Sequence, residues 1–365
     1  GDYYVSIVVN EKLVTWIEEK VKSEYADDIS LALLYGSFVN GTANSRSDID
    51  CYFIPRTERG YRLAGTFMIA GVGYDIFPMD WERVRNIANL EEGLLPLVGD
   101  VKVLYSASEE DLGRFRGLQV QMKDNLADKQ KSQTAARKRA ESAYKLYQDM
   151  CKPNPLVEIR KLAGQIIMQL ADAAAIYNND YFHCGLKMQF QDLLKLQKEK
   201  DIPIRICEEY LHTVQAKTAE ESIRHSYGML CTVGEYIGVS FSEDLPKDHA
   251  ESGEATEVKD SALLAGLYEE ISSTFNKIYV CCETNNYILA YLSAVCLQRE
   301  LDDAHREYGS EKYDILSSYE WDELQKMNLT VKAAEDHLVR FIAGSGGVIK
   351  RYSTFEEFQR SAWAW

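Results

Sequence analysis

LLYGSFVNGTANSRSDIDCYFIP, residues 33–55, joins an apolar run, a Gly-Ser step, a polar loop and a second apolar run that opens on two aspartates. The apolar run from Ile29 to Tyr35 is short and ends at a glycine, so it reads as a strand. Residues 49–54 read as a second strand. Side chains alternate faces along a strand, which places Asp48 and Asp50 side by side on one face. Carboxylates that close repel, raise each other's pKa and are costly to bury without a cation. A divalent metal or a neighbouring arginine relieves the repulsion, and magnesium is suited to one or two carboxylates plus substrate phosphates. Taken alone, Asp-x-Asp at the head of a strand is more often a solvated turn.

The surroundings shift that balance. Gly36-Ser37 stands at the end of the first strand, and ten residues separate Ser37 from Asp48. Glycine lets the backbone approach a phosphate closely, and the Ser37 hydroxyl and amide can donate to phosphate oxygens. The conjunction of strand, Gly-Ser, short polar segment and Ser47-Asp48-Ile49-Asp50 resembles the nucleotidyltransferase superfamily related to DNA polymerase beta. The resemblance covers roughly residues 10–110. It implies transfer of a nucleoside monophosphate from an NTP such as ATP, with two Mg2+ ions about 3.5–4 Å apart. It also implies that Asp48 and Asp50 bridge the metals and that Gly36 and Ser37 grip the β and γ phosphates. Arg46 and Ser47, just before the pair, are candidate phosphate donors, although Arg46 equally suits a solvated loop. A third carboxylate on a later strand completes the metal site in that family. Asp75, mid-strand in GVGYDIFPM, is favoured for the role; Asp80 is better explained as an N-cap for the helix that follows.

The expected fold class is α+β: a polymerase-beta-like mixed sheet with helices, then an all-α region. FMIAGVGYDIFPM (67–79) reads as a hairpin arm and third strand with Gly71 and Gly73 near its turn, and DVKVLYSA (100–107) as another strand. Helical spacing dominates after about residue 115, which divides the chain into a catalytic domain over 1–115, a helical, acceptor-binding domain over 120–242 and a second helical region over 260–365. The polar, acidic stretch 242–261 between them reads as a linker. AGSGGVIKRY (343–352) lacks the Gly-Lys-Ser/Thr ending of a phosphate loop and reads as a flexible connection. The aromatic residues of FEEFQRSAWAW suit packing back on the helices or a contact in a homo-oligomer.

Composition bounds the function. The chain has 365 residues, 46% hydrophobic and 27% charged, with a net charge of −16. That charge disfavours nucleic acid as the main partner but not one nucleotide carried with magnesium. No apolar run is long enough for a membrane span, and the eight scattered cysteines read as reduced thiols, so a cytoplasmic location is expected. There is no CxxC pair, and the six histidines show no HExxH or similar spacing, so no zinc site is expected. Residues 156–200 look like the helical region of bacterial nucleotidyltransferases acting on aminoglycoside and lincosamide antibiotics. Such enzymes can use a helical-domain acid as base. Glu158 is a candidate, though an ion pair with Lys161 explains it more simply. An acidic cleft would also attract a cationic antibiotic. The leading expectation is thus transfer to a hydroxyl of a small-molecule acceptor. A catalytically silent nucleotide- or partner-binding module, or a transferase acting on protein or tRNA, stands as the alternative.

Overall fold

The computed structural model describes residues 2–241 and 257–361. The N-terminal part supplies five strands of a six-stranded mixed sheet, helices follow, and a short C-terminal strand completes it, in the expected α+β class. The strands are β1 (Ile29–Tyr35), β2 (Asp50–Pro55), β3 (Gly65–Ile69), β4 (Val72–Pro78), β5 (Lys102–Ser106) and β6 (Arg351–Tyr352). Their order across the sheet is β5-β1-β2-β4-β3-β6.

Alternation along the strands sorts the two faces. On one, Ala32, Leu34, Cys51, Phe53, Phe67 and Ile76 bury against helix α1 (Asp2–Glu24), whose Leu13, Ile17 and Val21 are fully covered. Covering a side chain of this size contributes about 1.5–3 kcal/mol. On the other face lie Leu31, Leu33, Tyr52 and Ile54, together with Tyr35, Asp50, Asp75 and Phe77, their partners in register. The hairpin joining β3 to β4 turns on Ala70 and Gly71, both with positive φ (50° and 79°), as a two-residue turn requires.

A one-turn helix α2 (Ser37–Asn40) follows β1, and α3 (Trp81–Ala88) and the short α4 (Pro96–Gly99) lie between β4 and β5. Asp80 caps α3, accepting from the Arg83 N–H at 2.8 Å. The helical part comprises α5 (Glu109–Ala127), α6 (Lys129–Met150), α7 (Leu156–Tyr177), α8 (Gln189–Leu194), α9 (Asp201–Gln215), α10 (Ala219–Ile237), α11 (Leu264–Thr284), α12 (Tyr287–Tyr308) and α13 (Gln325–Gly344). A last helix, α14 (Phe355–Arg360), follows β6. Among the described residues no helix is long and apolar enough to cross a membrane.

One feature of the C-terminal region differs from expectation. Residues 343–352 are more than a flexible connection, because they end in β6, which pairs in parallel with Met68 and Ile69 of β3. The open edge of β3 has unpaired backbone groups that this short strand satisfies. Phe355 and Phe358 are then buried beneath α1, with Phe358 stacked on Phe67 at 4.4 Å between ring centroids. Residues 242–256 of the expected linker, and Trp363 and Trp365, lie outside the described residues.

Candidate active site

The end of β1 sets the site. The chain leaves Tyr35 through Gly36, whose φ of 83° and ψ of −160° suit glycine alone, and enters α2 at Ser37. Tyr35 is in register with Asp50, and Asp50 with Asp75 on the parallel neighbour β4. Register partners share a face, so Asp50 and Asp75 stand side by side, and Asp48, just before β2, lines the same cleft as Asp50. The Asp50 carboxylate rests over Gly36: a Cβ there would lie 2.0 Å from Asp50 Oδ2. Beneath the acids, the rings of Tyr35, Tyr52 and Phe77 form an apolar floor with centroids 6.0–6.3 Å apart.

Across from this face stands α11, brought close by Gly73. A Cβ on Gly73 would come 1.9 Å from Ser272 Oγ and 2.3 Å from the Glu269 carbonyl oxygen, so only glycine lets the helix backbone approach β4 so closely. Thr66 Oγ1 on β3 adds a 3.2 Å hydrogen bond to Glu269 Oε1. Glu270, Ser273 and Lys277 follow at helical spacing on the side of α11 turned to the acids.

Two adjoining cavities result, with Tyr35 lining both. One, of about 360 Å³, contains Ser37, Asp48 and Asp50 on the sheet side, with Lys187 and Lys277 among the helical residues. Lys187 comes from the 3-10 turn Gly185–Met188 and donates to the Thr42 carbonyl at 2.8 Å. The other, of about 670 Å³, contains Asp75, Glu270, Arg83 and Lys350.

The electrostatics follow from this arrangement. Burial pushes Asp48 above the usual carboxylate range, opposed by Lys277 and Lys187. Burial and then the Asp48 charge push Asp50 well above it, and the same two lysines oppose that rise. Burial, Glu270 and Asp48 together push Asp75 up to about 7. Burial raises Glu270 and lowers Lys187, the latter helped by the nearby Lys277 charge. Three half-buried carboxylates strained by their own proximity are a hard-oxygen donor set. Asp48, Asp50 and Asp75 thus supply donors of the kind Mg2+ prefers, but their oxygens do not all come within 4.8 Å of one another, so the trio is open rather than closed around one point.

The candidates from the sequence divide cleanly. Gly36, Ser37, Ser47, Asp48 and Asp50 line one cleft, and Asp75 adjoins them in register. Ser47 is largely spent on structure, its Oγ accepting from the Asn44 N–H at 2.8 Å and its carbonyl accepting from Ser6 and Asn10. Asp80 is occupied as a cap. Arg46 is a correction: it is not in the cleft. The Asn44–Ser47 turn aims it away, where it pairs with Glu283 at 3.0 Å over the Tyr279 ring. Glu158 pairs with Lys161 at 2.9 Å, and Lys161 also reaches Asp302 at 2.7 Å. Sequence reading missed Lys187, Lys277 and Glu270. No local motif marks them, and only the close-approach signal of Gly73, two hundred residues away, hints at a helix on that face.

His183 also lines the cleft. Its Nδ1 lies 2.9 Å from Asp100 and its Nε2 2.8 Å from Asp180, and these two carboxylates push its pKa up to about 10. Both carboxylates thereby favour its imidazolium form.

No family model matches the chain, and no curated protein sequence matches it. Among solved structures, the chain is similar to the crystal structure of a nucleotidyltransferase-like protein from Exiguobacterium sibiricum 255-15. The likeness covers 80% of this chain and 91% of that one, at 10% identity and a TM-score of 0.33. That overlap carries no argument about activity, which rests on the residues of the cleft.

Proposed function

We propose that this protein transfers a nucleoside monophosphate from an NTP to a hydroxyl of a small-molecule acceptor, releasing pyrophosphate. One observation carries the reading: Asp50 and Asp75 stand in register on one sheet face with Asp48 beside them, and two lysines approach from the helices opposite.

Asp48, Asp50 and Asp75 would hold Mg2+, which would offset the charge that builds on the α-phosphate in the transition state. Lys277 and Lys187 face the β and γ phosphates, and the Ser37 hydroxyl donates to a phosphate oxygen at the start of α2. The acceptor sits in the adjoining cavity, beside Asp75 and Glu270. Glu270, turned toward that cavity, takes the acceptor hydroxyl's proton; its raised pKa moves it toward the operating pH of a general base. The acceptor oxygen bonds to the α-phosphorus as the bond to the bridging β-oxygen breaks, and pyrophosphate leaves with that electron pair. The two cavities separate donor from acceptor, with the Tyr35 ring between them.

A cationic antibiotic is one acceptor class that the net charge of −16 supports. The test is incubation with each α-labelled NTP, Mg2+ and a panel of hydroxylated acceptors. Label moving to a small molecule with pyrophosphate released, and suppressed by EDTA, is the expected result. Mg2+-dependent NTP binding without transfer to any acceptor class would mark a binding module instead. Label appearing on protein or tRNA would change the acceptor. No nucleotide binding at all would end the proposal.

A further inference from the structure

Far along the helical part, α9 and α10 pack against each other and bring together three side chains that the cleft does not use. Glu209 and His212 are three residues apart on α9, hence on one face, and His225 reaches them from α10. One donor atom from each lies within 4.8 Å of the other two. His225 Nδ1 is 2.9 Å from Glu209 Oε2, and the imidazole centroids are 4.9 Å apart.

The surrounding backbone makes room for the carboxylate. A Cβ on Gly228 would fall 2.7 Å from Glu209 Cδ and 2.8 Å from its Oε2, so glycine at this turn of α10 is what lets Glu209 lie across the helix. Thr213 Oγ1 donates to the Glu209 carbonyl at 2.7 Å, and Thr232 Oγ1 to the Gly228 carbonyl at 2.8 Å. A hydrogen bond between His225 and Glu209 accounts for two of the three residues. It leaves His212 unexplained, for among the described residues its ring has no hydrogen-bond partner and yet sits against His225.

We propose that Glu209, His212 and His225 bind a zinc ion that clamps α9 to α10, with water at the fourth position. Two imidazole nitrogens and one carboxylate oxygen are a donor set that zinc accepts and magnesium does not favour. Donors about 2.0–2.1 Å from a tetrahedral zinc stand about 3.3 Å from one another. The 2.9 Å separation of His225 Nδ1 and Glu209 Oε2 is close to such an edge, so the ion replaces the proton between them with little movement. Contiguous spacing along the chain does not betray such a site. The half-motif Glu209-x-x-His212 is completed by a residue thirteen positions further on, across a helix junction.

The test is equilibrium dialysis of the chelator-treated full chain against Zn2+ in excess Mg2+, which occupies the hard carboxylate cleft, with bound zinc measured directly. One equivalent is expected in the wild type and in Asp50→Asn. It should be lost in His212→Ala and in His225→Ala, and bound at least tenfold more weakly in Glu209→Gln and in Gly228→Ala. Replacing zinc with Co2+ should give the visible absorption of a tetrahedral ion, absent from His212→Gln. Helical circular dichroism identifies any variant that fails to fold, and His212→Gln, an exposed change, then stands in for His212→Ala. No zinc retained by the wild type, or retention unchanged in the folded His212 and His225 variants, would overturn the proposal.

Discussion

Replacing Gly36 with alanine tests the geometry of the aspartate cleft at its tightest point. Two costs are separable. The backbone at φ 83° and ψ −160° lies in a region that residues with a Cβ barely populate, which costs about 1–3 kcal/mol. The added Cβ would also stand 2.0 Å from Asp50 Oδ2 and 2.9 Å from its Cγ. Ordinary contact is about 3.5 Å, so the carboxylate must move by about 1–1.5 Å. A displacement of about 1 Å at a reacting centre costs about a hundredfold in rate. Gly41→Ala is the matched control. Gly41 has nearly the same φ, 82°, with ψ 10° in the milder left-handed helical region, and nothing lies within 4 Å of the place its Cβ would take, so it bears a smaller backbone strain and no clash. Urea denaturation should show both variants destabilised, Gly36→Ala by the larger amount. Transfer from labelled NTP should fall about a hundredfold in Gly36→Ala and stay within about threefold of wild type in Gly41→Ala. Equal turnover in the two variants would refute the placement of Asp50 in the reaction.

Three further outcomes follow from the same site. Lys277→Met should weaken NTP binding tenfold or more, since a hydrogen bond to a charged group contributes about 1.5–3 kcal/mol; unchanged affinity by calorimetry would remove Lys277 from the phosphate path. His183→Asn should cost stability in a pH-dependent way. The imidazolium's pKa is raised to about 10, so its contribution is complete below about pH 6.5 and is lost as pH climbs to about 10. With the side chain 50% exposed, solvent screens the pair to about 1 kcal/mol, and denaturation at pH 6 and pH 10.5 should show the loss only at pH 6. Asp50→Asn should abolish transfer while keeping or raising the unfolding midpoint, and should bind metal-free NTP more tightly than wild type; ordinary turnover, or weaker metal-free binding, would contradict the assignment.

Legibility followed the range of the interactions. The pair Asp48 and Asp50 was readable because strand alternation is a local rule, and Asp75 because a lone acid amid Tyr74, Ile76 and Phe77 conflicts with its neighbours. Asp80 was readable as a cap for the same reason. Arg46 was not, because its direction is set by the side-chain hydrogen bonds of a four-residue turn. The strand at Arg351–Tyr352 was hidden because two residues carry no periodicity, and what makes them a strand is the vacant edge of β3. Lys277 and Glu270 lay deeper still. Each is an ordinary helix residue until Gly73 admits α11 to the sheet.

That docking bears on how an acidic chain would host the triphosphate of the proposed reaction. When ionised, Asp48, Asp50 and Asp75 carry three negative charges, and Lys187 and Lys277 return two, an excess of one negative charge among these five groups. The apolar floor of Tyr35, Tyr52 and Phe77 lowers the local dielectric and enlarges every one of these interactions. On the proposed reading a bare triphosphate entering such a cleft would meet net repulsion from these groups, and divalent cations arriving with it would offset that repulsion. Removing one carboxylate charge brings the balance to zero. This is why Asp50→Asn, defective in transfer, should nonetheless hold metal-free NTP better than the wild type does, and why the two proteins should converge or reverse order once Mg2+ is added.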